Sequence, residues 1–112
     1  MKTAAVYKQQ QHIADIVVAG SFLLRLRGLI GRPLAAGQGL LLKPCRQIHT
    51  FFMSYAIDAV YLDRSLRIVD IEAELPARRI CKARRGAFYV LELSAGEQAL
   101  KKLRIGDILS IE

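Results

Sequence analysis

The stretch QIHTFFMSYAIDAVYLDRSLRIVDIE, residues 47–72, decides the fold of this chain. It contains three runs rich in β-branched and aromatic residues, QIHTFFM, IDAVYLD and LRIVDIE, with short breaks between them. Runs of this length and composition predict consecutive antiparallel strands. In the third run the apolar residues change parity, from Leu66 and Ile68 to Val69 and Ile71, which predicts a β-bulge or a register change there.

More strands are predicted on both sides of this stretch. The runs AAVY and IADIVV flank a polar segment, residues 9–12, and predict an N-terminal hairpin. A continuous apolar run that ends in proline, GLLLKP, predicts a short buried strand, and FYVLEL and DILSIE predict two more near the C-terminus. The chain should therefore contain six to eight short strands.

Two short helices are predicted, at about residues 21–31 and 95–105. The first would begin at Ser21 as its N-cap, and the second would begin with a capping box formed by Ser94 and Glu97 and end before Gly106. Helices and strands do not alternate as in βαβ units. We therefore predict a mainly β fold (β-rich α+β), a small antiparallel barrel or sandwich in a single domain, 1–112.

Composition limits the classes of function. The 112 residues are 53% hydrophobic, which is enough for one compact core. The chain has 17 basic and 10 acidic residues, and its net charge of +7 favours anionic partners. No apolar run is long enough for a transmembrane helix and no signal peptide is evident, so we expect a cytoplasmic protein. In that compartment Cys45 and Cys81 are expected to be free thiols.

A cysteine and a histidine stand close together in CRQIHTFFM, residues 45–53. In a strand, residues four apart lie about 13 Å apart, which is too far for Cys45 and His49 to act as a nucleophile and its base. His49 is interpreted either as a hydrogen-bonded core or cleft residue or as an acid/base group with Asp58. The Cys and His spacings match no zinc motif, so neither a metal nor a cofactor is expected.

Asp58 lies within an apolar strand, so its carboxylate needs a partner. Backbone amides, Thr50, His49 or an arginine of the predicted first helix could serve. A structural cap or ion pair and a contact with a ligand both remain open.

A second cluster is the run RRICKARR, residues 78–85, which carries five positive charges. It is interpreted either as a solvated loop or as a surface for an anionic partner; the absence of interleaved aromatic residues disfavours a stacking platform for single-stranded nucleic acid. The predicted basic surface comprises Arg78, Arg79, Lys82, Arg84 and Arg85.

The order of several motifs resembles the domain of unknown function 192 family. These motifs are RGLIGR (residues 27–32), GLLL, IHTFFM followed by IDAVYLD, then Pro76, YVLELSAG and IGDIL, and the resemblance runs from about Ser21 to the C-terminus. It implies a single, mainly β domain and a family without an established activity. Ser54 and Ala56 stand where relatives often have a basic residue and a proline. The family-pattern positions are Arg27, Gly28, Leu29, Gly31, Arg32, Thr50, Met53, Ile57, Asp58, Asp63, Glu92, Gly96, Gly106 and Asp107.

The resemblance and the need to pair buried polar groups together indicate one candidate site. We predict a small non-catalytic module that binds a polar or anionic ligand. An alternative is a protein-interaction or nucleic-acid-contacting module that uses the basic 78–85 segment; a hydrolase that uses His49 and Asp58 is disfavoured. The predicted ligand-binding residues are Arg27, Arg32, His49, Thr50, Met53 and Asp58.

Overall fold

The computed structural model describes residues 2–19, 34–45, 55–76, 79, 82–96 and 98–112. These residues form seven strands and one short helix. In chain order the elements are β1 (Lys2–Lys8), β2 (Gln11–Ala19), β3 (Gln38–Leu42), β4 (Ile57–Leu62), β5 (Ile68–Leu75), β6 (Tyr89–Ser94), α1 (Gln98–Lys101) and β7 (Ser110–Ile111). The prediction of a mainly β fold is confirmed.

The seven strands form one sheet in the order β5-β4-β6-β3-β2-β1-β7. All neighbours are antiparallel except β2 and β3, which run parallel from the pair Asp15 and Gln38 to the pair Ala19 and Leu42. The sheet curls, so that the segment before β7 lies against β5, the strand at the opposite edge of the sheet. There the amide of Ile68 donates to the carbonyl of Asp107 at 2.8 Å. The result is a curled half-barrel.

Both faces of the sheet are buried at its centre, in β3, β4 and β6. The inner face, which carries Val60 and Leu91, packs against residues from both ends of the chain, among them Val6 and Leu109. The outer face carries a second apolar cluster that includes Leu40, Ala59, Tyr61 and Val90. Burial on both sides explains why all six residues of β4 are almost fully hidden from solvent.

β5 is irregular, as the parity change in its sequence predicts. Tyr61 pairs with Asp70 and Leu62 with Ile68, so Val69 is an extra residue on β5. A second irregularity lies nearer the end of β5, where Ala73 and Glu74 both face Asp58 of β4, and Glu74 has a positive φ of 52°. The predicted bulge is therefore confirmed, and a second one accompanies it.

The N-terminal hairpin is also confirmed. Its two turn residues, Gln9 and Gln10, both have positive φ, as a two-residue turn of the primed type requires. Gly39 on β3 is required for a different reason: a Cβ there would lie 3.0 Å from the carbonyl oxygen of Glu92 and 3.2 Å from Ile16.

The prediction of a helix at 95–105 is correct in place but wrong in length. The helix spans only Gln98–Lys101, because the amide of Leu103 bonds to the carbonyl of Leu100 and the chain then turns at Gly106 to reach β5. The predicted helix at 21–31 and the predicted strand at 47–53 lie outside the described residues. Within the described part of the chain, no helix is long and apolar enough to cross a membrane.

Candidate functional site

Asp58 of β4 is the one predicted ligand-binding residue that the structure describes. Its side chain lies on the inner face, opposite Leu93, and is fully buried. One carboxylate oxygen accepts the amide of Glu74 at 2.7 Å and the other accepts the amide of Gly96 at 3.2 Å. Asp58 thus joins the β5 bulge to the turn after β6, and backbone amides supply the partner that its burial requires. Its contact with a ligand stays a prediction.

The other five residues of that predicted site lie outside the described part of the chain: Arg27, Arg32, His49, Thr50 and Met53. The same holds for Cys81 and for Arg78 of the predicted basic surface. Cys45 is buried, and its thiol is not part of a disulfide. Among the described residues, no three His, Cys, Asp or Glu side chains come together in a group that could hold a metal ion.

The outer face carries acidic residues that the sequence analysis did not connect. Asp70 lies opposite Tyr61, and Ala59 lies between Glu72 on one side and Glu92 on the other. Glu92 is 1% exposed, although it carries a carboxylate. Burial, and after it the negative charge of Glu92, raises the pKa of Tyr55 above its usual value of 10.0. Negative charge is therefore concentrated on this face.

Arg84 forms ion pairs with two of these acids. Its Nε donates to Asp70 and one of its terminal nitrogens donates to Glu72, each at 2.8 Å, and its guanidinium carbon lies 4.3 Å from the centre of the Tyr61 ring. A further donation, to the carbonyl of Lys82 at 2.7 Å, ties the arginine to its own segment. Burial on its own would lower the pKa of Arg84, but the hydrogen bonds to Asp70 and Glu72 outweigh it and raise the pKa. Arg84 is permanently charged, and its hydrogen bonds connect the segment 82–84 to β5.

An open groove of about 780 Å³ lies beside Arg84. We call it the basic groove; it is lined by Asp70, Glu72, Leu75, Pro76, Arg79, Lys82, Ala83, Arg84 and Arg85. Arg79, Lys82 and Arg85 are exposed, whereas the side chain of Arg84 is only 17% exposed. Because Arg84 pairs with both acids of the lining, three exposed cations dominate the charge of the groove. The four described residues of the predicted basic surface thus comprise one anchoring arginine, Arg84, and three exposed cations.

A second groove, of about 650 Å³, is lined in part by the residues that follow Arg85 in the chain. Its lining residues are Pro44, Cys45, Asp63, Arg64, Ser65, Gly86, Ala87 and Phe88, and we call it the Phe88 groove. The guanidinium carbon of Arg64 lies 4.2 Å from the centre of the Phe88 ring. Sequence reasoning missed this pair, because Arg64 and Phe88 are far apart in the chain and neither belongs to a motif.

The chain is similar in sequence to proteins of other organisms. A UPF0127 protein of Pyrococcus horikoshii is 36% identical over 98 residues, which cover 83% of this chain and 84% of that protein. A UPF0127 protein of Thermococcus sibiricus is 30% identical over 102 residues; the match covers 87% of this chain but 66% of that protein, just under two thirds of its length.

A solved structure is similar to this chain in its fold. A crystal structure of a protein of unknown function from Novosphingobium aromaticivorans matches with a TM-score of 0.78 over 96% of this chain and 83% of that one, at 17% sequence identity. At that identity the likeness concerns the fold alone. The model of the family DUF192, described as "Uncharacterized ACR", matches residues 4–111. The chain therefore belongs to the domain of unknown function 192 family.

Proposed function

We propose that this protein is a non-catalytic binding module whose basic groove receives an anionic ligand. The observation that carries the proposal is the charge of the lining: Arg84 binds both acids, Asp70 and Glu72, and the exposed cations Lys82 and Arg85 leave the lining as a whole positive. A basic lining of this kind attracts anions and raises their local concentration.

The chemistry of the lining groups supports binding over proton transfer. Arginine and lysine side chains are positively charged hydrogen-bond donors without an acceptor atom. Arg79, Lys82 and Arg85 are therefore suited to hold a phosphate or a carboxylate by charge-assisted hydrogen bonds. The fixed position of Arg84 keeps the segment that carries Lys82 and Arg85 close to β5, which reduces the ordering cost of binding.

Inorganic pyrophosphate is a suitable probe for this proposal. At constant ionic strength, a concentration ten times its Kd should stabilise the native protein by about 1.4 kcal/mol, or roughly 5 °C in Tm. The double variant Lys82→Ala/Arg85→Ala should lose most of this rise. A matched control is Lys101→Ala/Lys102→Ala, which removes the same charge from exposed positions outside the groove lining. An equal rise in all three proteins, or no rise in the wild type, would contradict the proposal.

A further inference from the structure

The two grooves adjoin each other along one short segment. Residues 82–85 line the basic groove and residues 86–88 line the Phe88 groove. Between them the chain turns: the amide of Ala87 donates to the carbonyl of Arg84 at 3.1 Å, and Gly86 takes a positive φ of 82°. A β-turn with glycine at its third position has this form. Arg85, the second residue of the turn, lines the basic groove, and Gly86, the third, lines the Phe88 groove.

Arg64 is held in place at the far side of the Phe88 groove. One oxygen of Asp63 accepts the amides of Ser65 and Arg67, at 2.8 and 3.0 Å, and this fixes the turn that carries Arg64. The backbone that carries the ring of Phe88 is fixed as well, because the amide of Phe88 donates to the carbonyl of Leu62 at 2.7 Å. The exposed guanidinium of Arg64 is thus a flat cation supported by an aromatic ring.

The combination of these features points to one ligand class. Guanidinium planes and aromatic rings stack on unpaired nucleobases, while lysine and arginine side chains along a groove contact the phosphates. A duplex hides the faces of its bases, and an acidic polypeptide has no comparable repeating planar group. We propose that the two grooves together bind single-stranded nucleic acid, with phosphates on Lys82 and Arg85 and a base on Arg64. This inference rests on the proposed function, since it uses the same basic groove.

The test compares a fluorescently labelled oligothymidylate of roughly ten nucleotides with an abasic strand of the same length, which keeps the phosphates and removes the bases. Fluorescence anisotropy should show about tenfold weaker binding of the abasic strand. Arg64→Ala should weaken binding of the oligothymidylate by a similar factor and leave binding of the abasic strand nearly unchanged. Phe88→Leu, which removes the support of the guanidinium, should act in the same direction.

The salt dependence separates the two parts of the surface. Lys82→Ala/Arg85→Ala should weaken both strands and reduce the slope of log K against log salt by about 1.4, because two phosphate contacts are lost. Lys101→Ala/Lys102→Ala is again the charge-matched control and should leave the slope close to that of the wild type. Arg64→Ala should lower the affinity for the oligothymidylate by a larger factor than the loss of one positive charge explains.

Three outcomes would overturn the inference while leaving the proposed function intact, provided that pyrophosphate still binds. The first is equal affinity for the two strands together with no effect of Arg64→Ala. The second is the absence of binding to either strand. The third is binding of polyglutamate as tight as that of the oligothymidylate, which would assign the surface to acidic proteins. Failure of pyrophosphate to bind would overturn the proposed function itself.

Discussion

The two faces of the sheet hold their acids in different ways. On the inner face, both oxygens of Asp58 accept backbone amides, from Glu74 and Gly96. On the outer face, Asp70 and Glu72 bind the side chain of Arg84, which comes from a different segment, and Asp70 also accepts the amide of Ile71. The hydrogen bonds of Asp58 connect two segments of backbone, whereas the ion pairs of Arg84 place charged side chains beside the basic groove.

The two arrangements also differ in burial and in their surroundings. Asp58 is fully buried, but its hydrogen bonds stabilise a bulge and a turn. Arg84 is partly buried and forms ion pairs that determine the charge of an adjacent groove. The outer-face acids differ from Asp58 in that a charged side chain, that of Arg84, is among their partners.

Asp58→Ala should give the largest effect, because it leaves the amides of Glu74 and Gly96 without their acceptor. We expect a loss of about 3 kcal/mol in the free energy of unfolding, measured by urea denaturation. Asp58→Asn, whose single carbonyl can accept only one of the two amides, should lose roughly half as much. A loss below about 0.5 kcal/mol for the alanine variant would show that these hydrogen bonds do not matter to stability.

Arg84→Ala should come second, at about 2 kcal/mol. The acids that it leaves behind are 39% and 31% exposed, so solvent screens them and the cost is smaller than for a dry ion pair. The same variant should weaken pyrophosphate binding, because Asp70 and Glu72 would then repel the anion. Arg84→Lys is the control that retains the charge but not the two-pronged geometry. Unchanged pyrophosphate affinity in Arg84→Ala would contradict the assigned role.

Glu92→Gln tests the third acid of the outer face. Removing its charge should lower the pKa of Tyr55, which stays above 10.0 because burial, the larger cause, remains. Alkaline spectrophotometric titration, with Tyr55→Phe to identify the signal, measures this shift. Glu74→Gln removes an exposed acid and should leave the pKa of Tyr55 in place. If both variants behave alike, Glu92 does not act on Tyr55.

Asp107 is the surface counterpart of these acids and should show the smallest effect. The hydrogen bond from Lys8, and after it the amide of Arg104, lowers the pKa of Asp107 below its usual 3.8. A lowered pKa stabilises the fold above the unfolded value, and this contribution is lost as the pH falls through the native pKa. Asp107→Asn should therefore be less stable than the wild type at neutral pH. The two proteins should converge as the pH falls below about 4. A constant difference across that range would contradict the assignment.

The strands were predictable because their signals are local. Apolar runs between turn residues indicate β4, β5 and β6 directly, and the parity change around Val69 indicates the bulge. The parallel pairing of β2 with β3 was not predictable, since no local pattern specifies which neighbour a buried strand takes. The helix near residue 98 came out shorter than predicted because tertiary hydrogen bonds to β5 compete with its last turns.

The candidate grooves were predictable only in part. The basic run at 78–85 is visible in the sequence, but nothing in it distinguishes Arg84, which turns back to Asp70 and Glu72, from Arg85, which is exposed. Likewise the partners of Asp58 are backbone amides that follow from a bulge and a turn elsewhere in the chain. Such pairings depend on three-dimensional register, which side-chain type alone does not encode.

The pairing of β1 with β7 has a consequence for folding kinetics. Val6 pairs with Ile111, so the sheet acquires its last strand only by closing a loop that spans nearly the whole chain. The entropic cost of closure grows with loop length, and topologies dominated by such distant pairings fold slowly. Pairings between neighbouring segments, such as β1 with β2 and β4 with β5, can form earlier at lower cost. Recruitment of β7 should therefore be a late event in folding, after these local hairpins have formed.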